Sequence, residues 1–211
     1  MVTDEQHRFG VKQRQALESK GKSPHVLIMT ATPIPRTMAL SVYGDLDVSF
    51  IKGMPPGRHP VKTYVVGSHM LQRIFRFMKK EMESGHQAYV VCPLVEQSEK
   101  QDLAAAVSVY ENLRDHVFPQ FGVGLVHGRM KNAEKEQVME DFRKGKFKLL
   151  VATSVIEVGV NVPDATVMFV YGADRFGLSQ LHQLRGRVGR GKEQAYCVYI
   201  RIIKMKRLSL E

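Results

Sequence analysis

Residues 177–191, Gly-Leu-Ser-Gln-Leu-His-Gln-Leu-Arg-Gly-Arg-Val-Gly-Arg-Gly, carry the side chains in this 211-residue chain best suited to handling a polyanion. Arg187 and Arg190 stand three residues apart, each directly preceded by a glycine. A guanidinium presents a planar fork of donors that matches two phosphate oxygens at once, and glycine lets a backbone approach a ligand closely. Leu178, Leu181 and Leu184 fall at helical spacing. That spacing predicts a short amphipathic helix that buries its leucines and runs into a glycine-interrupted turn, with both arginines left at the exposed end. Taken alone, the stretch reads equally well as a basic surface loop.

Within it, Gln183-Leu-Arg-Gly-Arg-Val-Gly-Arg190 resembles motif VI of the superfamily 2 helicases, Gln-x-x-Gly-Arg-x-Gly-Arg. The longer run Phe176 to Arg187 is similar to the form found in the branch-migration helicases of that superfamily and in their relative, the transcription-repair coupling factor. The resemblance implies that Arg187 and Arg190 are arginine fingers reaching across a cleft to the γ-phosphate of ATP, with Gln183 in the same catalytic set. Near the other end, Asp4-Glu-Gln-His7 resembles motif II. There the resemblance implies that Asp4 holds Mg²⁺ through water and that Glu5 orients the attacking water. Read from the residues alone, the same carboxylates suit the start of a helix running through Lys20. Met29-Thr-Ala-Thr-Pro-Ile-Pro-Arg36 resembles motif III. Thr30 and Thr32 would then couple the motif II carboxylates to the DNA side of the cleft; without the resemblance, the prolines simply end a strand.

Gly21-Lys22-Ser23 is not a phosphate-binding P-loop. Ala16 stands where the first glycine would fall, and the tripeptide precedes an apolar run, His25 to Met29, instead of following one. The family's motif I is therefore missing from these residues, and the chain alone is expected to hydrolyse no ATP. The acidic tetrad arrives with no apolar strand before it, so the expectation is a truncation that lacks an N-terminal part of the same polypeptide.

Composition narrows the classes further. The hydrophobic share of 44% is that of a globular chain, and a net charge of +10 favours a polyanionic partner, a signature shared by ribosomal proteins, nucleases and membrane-surface proteins. Cys92 and Cys197 sit inside apolar runs with no disulfide or zinc spacing, which reads as buried thiols in a reducing compartment. The sequence shows neither a signal peptide nor an apolar run of membrane-spanning length, so a cytoplasmic protein without membrane contact is expected.

The elements that must position these groups follow from the patterning. Met54-Pro-Pro-Gly-Arg-His-Pro60 is rich in breakers and reads as a linker, with the domain boundary at 58/59. Beyond it, strands are expected at 61–66, 87–92, 122–126, 148–152, 166–170 and 194–200, alternating with amphipathic stretches, the order of a parallel sheet wrapped by helices. One such stretch carries Leu71, Ile74, Phe75, Met78 and Met82 on one side, with Arg73, Arg76, Lys79 and Lys80 on other faces.

Two strand exits complete the set of candidate sites. His127-Gly128, ahead of a helix from Lys135 to Phe142, is similar to the family's nucleic-acid phosphate contact at a helix N-terminus. A histidine in that position is also commonly structural, and Gly128 is a turn residue on either reading. The run 151–163 resembles motif V. There the resemblance implies a phosphate grip by Thr153 and Ser154, with Glu157, Gly159 and Asn161 facing the nucleotide. The family usually carries Asp where this chain has Asn161, which puts the contact made by that carboxylate in question.

The resemblance therefore implies an α/β chain with RecA-like folds. Residues 1–58 form the tail of a first RecA-like domain, and 59–211 form the second, the helicase C-terminal domain. It implies an ATP- and Mg²⁺-dependent DNA helicase or translocase that unwinds or branch-migrates junctions and stalled forks in recombination and repair, with branched or forked DNA as partner. A non-catalytic basic α/β module that binds nucleic acid or protein is the alternative from another class. Within the motor class the alternative is a transcription-repair coupling factor.

Overall fold

The computed structural model of the protein describes residues 2–4, 25–29, 47–51, 53, 55–93, 99–153 and 161–201. The chain forms two compact units, Met1–Lys52 and Gly53–Glu211. In the first, β1 (Val2–Asp4) pairs in parallel with β2 (Leu27–Met29), with Thr3 opposite Ile28. The breaker-rich stretch before residue 61 belongs to the second unit.

The second unit is a parallel sheet with helices on both faces. Its strands are β3 (Lys62–Gly67), β4 (Gln87–Cys92), β5 (Val123–Val126), β6 (Leu149–Thr153), β7 (Ala165–Val170) and β8 (Tyr196–Arg201). Its α-helices among the described residues are α1 (Leu71–Glu83), α2 (Glu99–Asn112), α3 (Asn132–Arg143) and α4 (Leu178–Arg185). A π-helical turn, Leu113–Val117, extends α2. Across the sheet the order is β3-β8-β7-β4-β6-β5, every neighbouring pair parallel.

That order decides which helix covers which face. From β3 to β4 to β5 the chain moves across the sheet in one direction, and from β5 to β6 and from β7 to β8 it moves back. Right-handed crossovers put helices of opposite travel on opposite faces. Accordingly α1 and α2 pack on one face, through Ile74, Met78, Met82, Ala106 and Leu113. On the other, α3 and α4 pack through Met139, Phe142 and Leu184.

Strands sandwiched this way have no solvent face, and that is why β4, β6 and β7 read as continuous apolar runs and are buried at every position. In α1 the buried residues Ile74, Met78 and Met82 recur every fourth position. Each such burial contributes about 1.5–3 kcal/mol. Met78→Ala, at a fully buried position, would cost about 2–5 kcal/mol.

Gln87 opens β4 and is buried, 2% exposed. Its Nε2 donates to the carbonyls of Phe142 and Phe147, the latter at 2.8 Å, so one amide ties the start of β4 to the end of α3 and the turn beyond it. The sequence places Gln87 at a strand start without signalling that role.

Candidate functional site

The arginine-glycine stretch folds much as its spacing predicts, with two differences. Helix α4 buries Leu184 and half-buries Leu181, but Leu178 is 87% exposed. Leu178 is the helix's first residue, a full turn ahead of the Leu181–Leu184 contact with the sheet, and it projects past the core. The second difference concerns the glycines. Gly189 has φ +73°, and a Cβ there would lie 3.0 Å from Val61 Cγ2 and 3.3 Å from Ala195 Cβ. A Cβ on Gly191 would lie 2.6 Å from the Pro163 carbonyl oxygen. These two glycines let the loop close onto the protein's own chain, not onto a ligand.

Several bonds hold the helix and loop in place. Tyr199 on β8 donates its hydroxyl to the Leu181 carbonyl at 2.8 Å. Gly186 caps the helix, its N–H reaching the His182 carbonyl at 3.1 Å, and Arg187 N–H follows to Leu184 at 3.0 Å. Val188 inserts into the core, 3% exposed, between the two arginines.

Arg187 and Arg190 are half-buried, not free at the surface as the sequence suggests, and Arg190 Nε also donates to the Gly186 carbonyl at 3.3 Å. The fields of both reach Tyr89, whose ring packs against Phe142 at a tilt of 59° with centroids 5.0 Å apart. Burial pushes the Tyr89 hydroxyl up to about 12, and the fields of Arg187 and Arg190 oppose that rise. Arg185 goes elsewhere: it contacts His182 Nδ1 at 3.3 Å, and its field reaches Cys197 and Tyr199 on β8. The stretch therefore sorts its three arginines into one facing β8 and two facing the ground over β4. Tyr89 is the residue that sequence reasoning misses here, because in a strand buried on both faces nothing marks one aromatic as neighbour to two cations.

The remaining candidates divide between the two edges of the sheet. Because all strands run parallel, their C-terminal ends share one edge, and His127, Gly128 and Thr153 lie there, after β5 and at the end of β6. Thr153 is 2% exposed, so its hydroxyl is not on an open surface. Gly128 sits in a turn with open space where a Cβ would be. Lys135 Nζ donates to the Gly128 carbonyl at 2.9 Å, a tie invisible in the sequence. His127 is half-buried, and burial first, then Lys135 and Arg129, hold its pKa below the usual imidazole range.

The arginine loop lies at the opposite edge, against the residues that lead into β3, β7 and β8. Gln183 is half-buried on α4, and exposed Asn161 stands two residues before Pro163, which abuts Gly191. Of Asp4 only the backbone is described, in β1; Glu5, Thr30, Thr32, Ser154, Glu157 and Gly159 lie outside the described residues. Among the described residues no cluster of three or more His, Cys, Asp or Glu could hold a metal. None of the described helices is long and apolar enough to cross a membrane. Cys92 and Cys197 are buried and unpaired, as their apolar runs predict.

A six-stranded parallel sheet in this order, with paired arginines on a glycine loop after its last helix, defines the C-terminal RecA-like domain of a helicase. The family model for the helicase conserved C-terminal domain matches residues 68–192, and the chain belongs to that family. It is 56% identical to the ATP-dependent DNA helicase RecG of Bacillus subtilis (strain 168) over 198 residues, 94% of this chain and 29% of the relative. RecG of Thermotoga maritima is 52% identical over 200 residues, 95% of this chain and 26% of the relative. The chain thus spans less than a third of the length of these relatives.

Among solved structures, RecG bound to a three-way DNA junction superposes with a TM-score of 0.73 at 47% identity, covering 95% of this chain and 25% of that one. Dbp5 of S. cerevisiae, bound to RNA and ADP BeF3, matches with a TM-score of 0.61 at 14% identity, over 96% of this chain and 53% of that one. At that identity the likeness shows the fold alone.

Proposed function

We propose that this chain is the ATP-sensing and DNA-gripping half of a RecG-type motor, an ATP-dependent DNA helicase that acts on branched or forked DNA in recombination and repair in the cytoplasm. Met1–Lys52 would belong to the end of a first RecA-like domain and Gly53–Glu211 to the second, the compact units dividing ahead of the breaker-rich stretch and not at 58/59. The observation that carries this reading is the loop Gly186–Gly191, which half-buries two arginines whose fields both reach Tyr89 on β4, in a chain 56% identical to RecG of Bacillus subtilis.

The donor set fits a triphosphate. Arg187 and Arg190 offer forked, permanently charged donors beside a buried phenol that stays protonated at neutral pH. ATP, when bound, supplies the phosphoanhydride bond whose hydrolysis powers movement. Charge developing on the phosphoryl oxygens is met by Arg187 and Arg190, which the closed packing of Gly189 and Gly191 keeps from rearranging. Gln183 and Asn161 lie on the same side and suit contacts to the nucleotide. Asp4 and Glu5 would hold Mg²⁺ and orient water from the first domain, with Thr30 and Thr32 linking them to the DNA side.

At the other edge, His127 and Gly128 address phosphates and not base edges, so the nucleic-acid contact is independent of sequence; the motif V resemblance would add Ser154, and Thr153 only if its buried hydroxyl is uncovered on binding. Placing the two functions on opposite edges of one rigid sheet suits a motor.

A salt titration tests the reading. The 211-residue chain should bind single-stranded and forked DNA weakly, without sequence preference, and lose affinity at least tenfold between roughly 50 and 200 mM salt. Affinity that is indifferent to salt, or set by base sequence, would contradict the phosphate assignment.

A further inference from the structure

The turn after β5 contains a polar atom with no partner. His127 Nδ1 is sealed from solvent and makes no hydrogen bond, the one side-chain nitrogen or oxygen among the described residues in that state. The ring as a whole is half-buried, so its accessible edge is the one bearing Nε2. The groups around it are committed to holding the turn. Met130 N–H donates to the His127 carbonyl at 3.2 Å, and Lys135 Nζ to the Gly128 carbonyl at 2.9 Å. The Glu134 carboxylate accepts the Lys131 N–H at 3.0 Å. Arg129, Lys135 and Glu134 are the charged groups whose fields reach the ring.

An imidazole has three proton arrangements. The imidazolium would bury an unpaired N–H carrying positive charge, with the cations Arg129 and Lys135 near it and only Glu134 in opposition. The Nδ1–H tautomer would leave an orphaned buried donor, which folded proteins tolerate less than an under-satisfied acceptor. The third arrangement leaves a bare lone pair in the dry pocket and puts the only N–H on the open edge.

We infer that His127 is held as the neutral Nε2–H tautomer and works as a fixed, uncharged hydrogen-bond donor to a nucleic-acid phosphate oxygen. This rests on the reading of the turn as a phosphate contact and adds a division of labour to it. Arg129 and Lys135 supply the charge and with it the salt dependence; His127 supplies direction. Because the donor is neutral, its contribution does not strengthen as pH falls from 8 to 6, unlike that of a histidine that gains charge on binding.

Long-range ¹⁵N NMR on the histidine-labelled 211-residue chain reads the tautomer without any ligand. At pH 7 the expected signals are a protonated Nε2 and an unprotonated Nδ1; a protonated Nδ1, in either tautomer or imidazolium form, overturns the proposal.

Fluorescence anisotropy with a labelled single-stranded oligonucleotide then tests the donor. His127→Gln, whose amide nitrogen reaches the Nε2 position, should keep affinity within about twofold, whereas His127→Asn and His127→Ala should each lose about tenfold. Rescue by Asn and not by Gln overturns the assignment. If Arg129→Ala weakens binding while all three His127 variants bind as the parent does, the donor proposal alone fails. If none of the four variants alters binding, the reading of this turn as a nucleic-acid contact fails with it.

Discussion

Replacing Gly189 with alanine separates two costs that the loop imposes, and Gly145 provides the control. Both glycines sit in the left-handed region, at φ +73° and +77°. An L-residue there costs about 1–2 kcal/mol, offset by about 0.4–1 kcal/mol because alanine narrows the unfolded ensemble. A Cβ on Gly145 meets nothing within 4 Å, so Gly145→Ala carries only that net backbone cost, about 0–1.6 kcal/mol. At Gly189 the new methyl would meet Val61 Cγ2 at 3.0 Å and Ala195 Cβ at 3.3 Å, closer than packed carbons sit. Relief requires Val61 or the loop to move, which adds about 1–2 kcal/mol. For a unit of this size each kcal/mol is worth about 2–4 °C. Calorimetry of the 211-residue chain should therefore show Gly189→Ala melting about 2–8 °C below Gly145→Ala. In a full-length protein carrying these residues, Gly189→Ala should also slow ATP turnover, since the arginines ride on the displaced backbone. Equal melting shifts for the two variants would refute the claim that the loop is closed against β3 and β8.

Further outcomes follow from buried polar groups. Gln87→Leu removes the donor shared by the Phe142 and Phe147 carbonyls and should cost roughly 2–4 kcal/mol, seen as a lower urea midpoint with an unchanged slope. Burial pushes the Cys92 thiol up to about 12 from 9.0, so in the folded chain it should resist thiol reagents at pH 8 until the protein opens. Because burial favours the neutral thiol, its stabilising effect is complete below about pH 9 and is lost as pH rises toward 12. Denaturation against pH should therefore show alkaline destabilisation that Cys92→Ala reduces but does not abolish, since Tyr89 titrates late for the same reason.

The sheet was legible in the sequence because parallel strands buried on both faces must be apolar throughout. The runs around Val90, Val151 and Phe169 could be little else once helical stripes were found between them. Strand ends agreed to within about two residues, as expected where hydrogen-bond ladders fray. Leu178 was misread because helical periodicity gives a direction but not the extent of the core it points toward.

At the candidate site, the helix and the loop that carry Arg187 and Arg190 were legible from type and spacing, but the half-burial of both arginines was not. The role of their glycines was not, since only tertiary packing reveals that Gly189 touches Val61, more than a hundred residues earlier in the chain. Tyr89 and Lys135 stayed hidden for the same reason: one is an ordinary strand aromatic, the other an ordinary helix lysine. What makes each matter is a neighbour brought in by the fold.

In the proposed function, Arg187 and Arg190 act on phosphoryl charge and not merely on folding. DNA-stimulated ATP turnover by a full-length protein carrying these residues tests it, with Arg187→Lys and Arg190→Lys compared with the parent under saturating DNA and ATP. Lysine keeps the charge and the aliphatic stem but loses the fork, so each variant should remain folded while turnover falls by on the order of a thousandfold. Folded lysine variants with turnover within a few-fold of the parent would show that the arginines are structural and would overturn the proposed function.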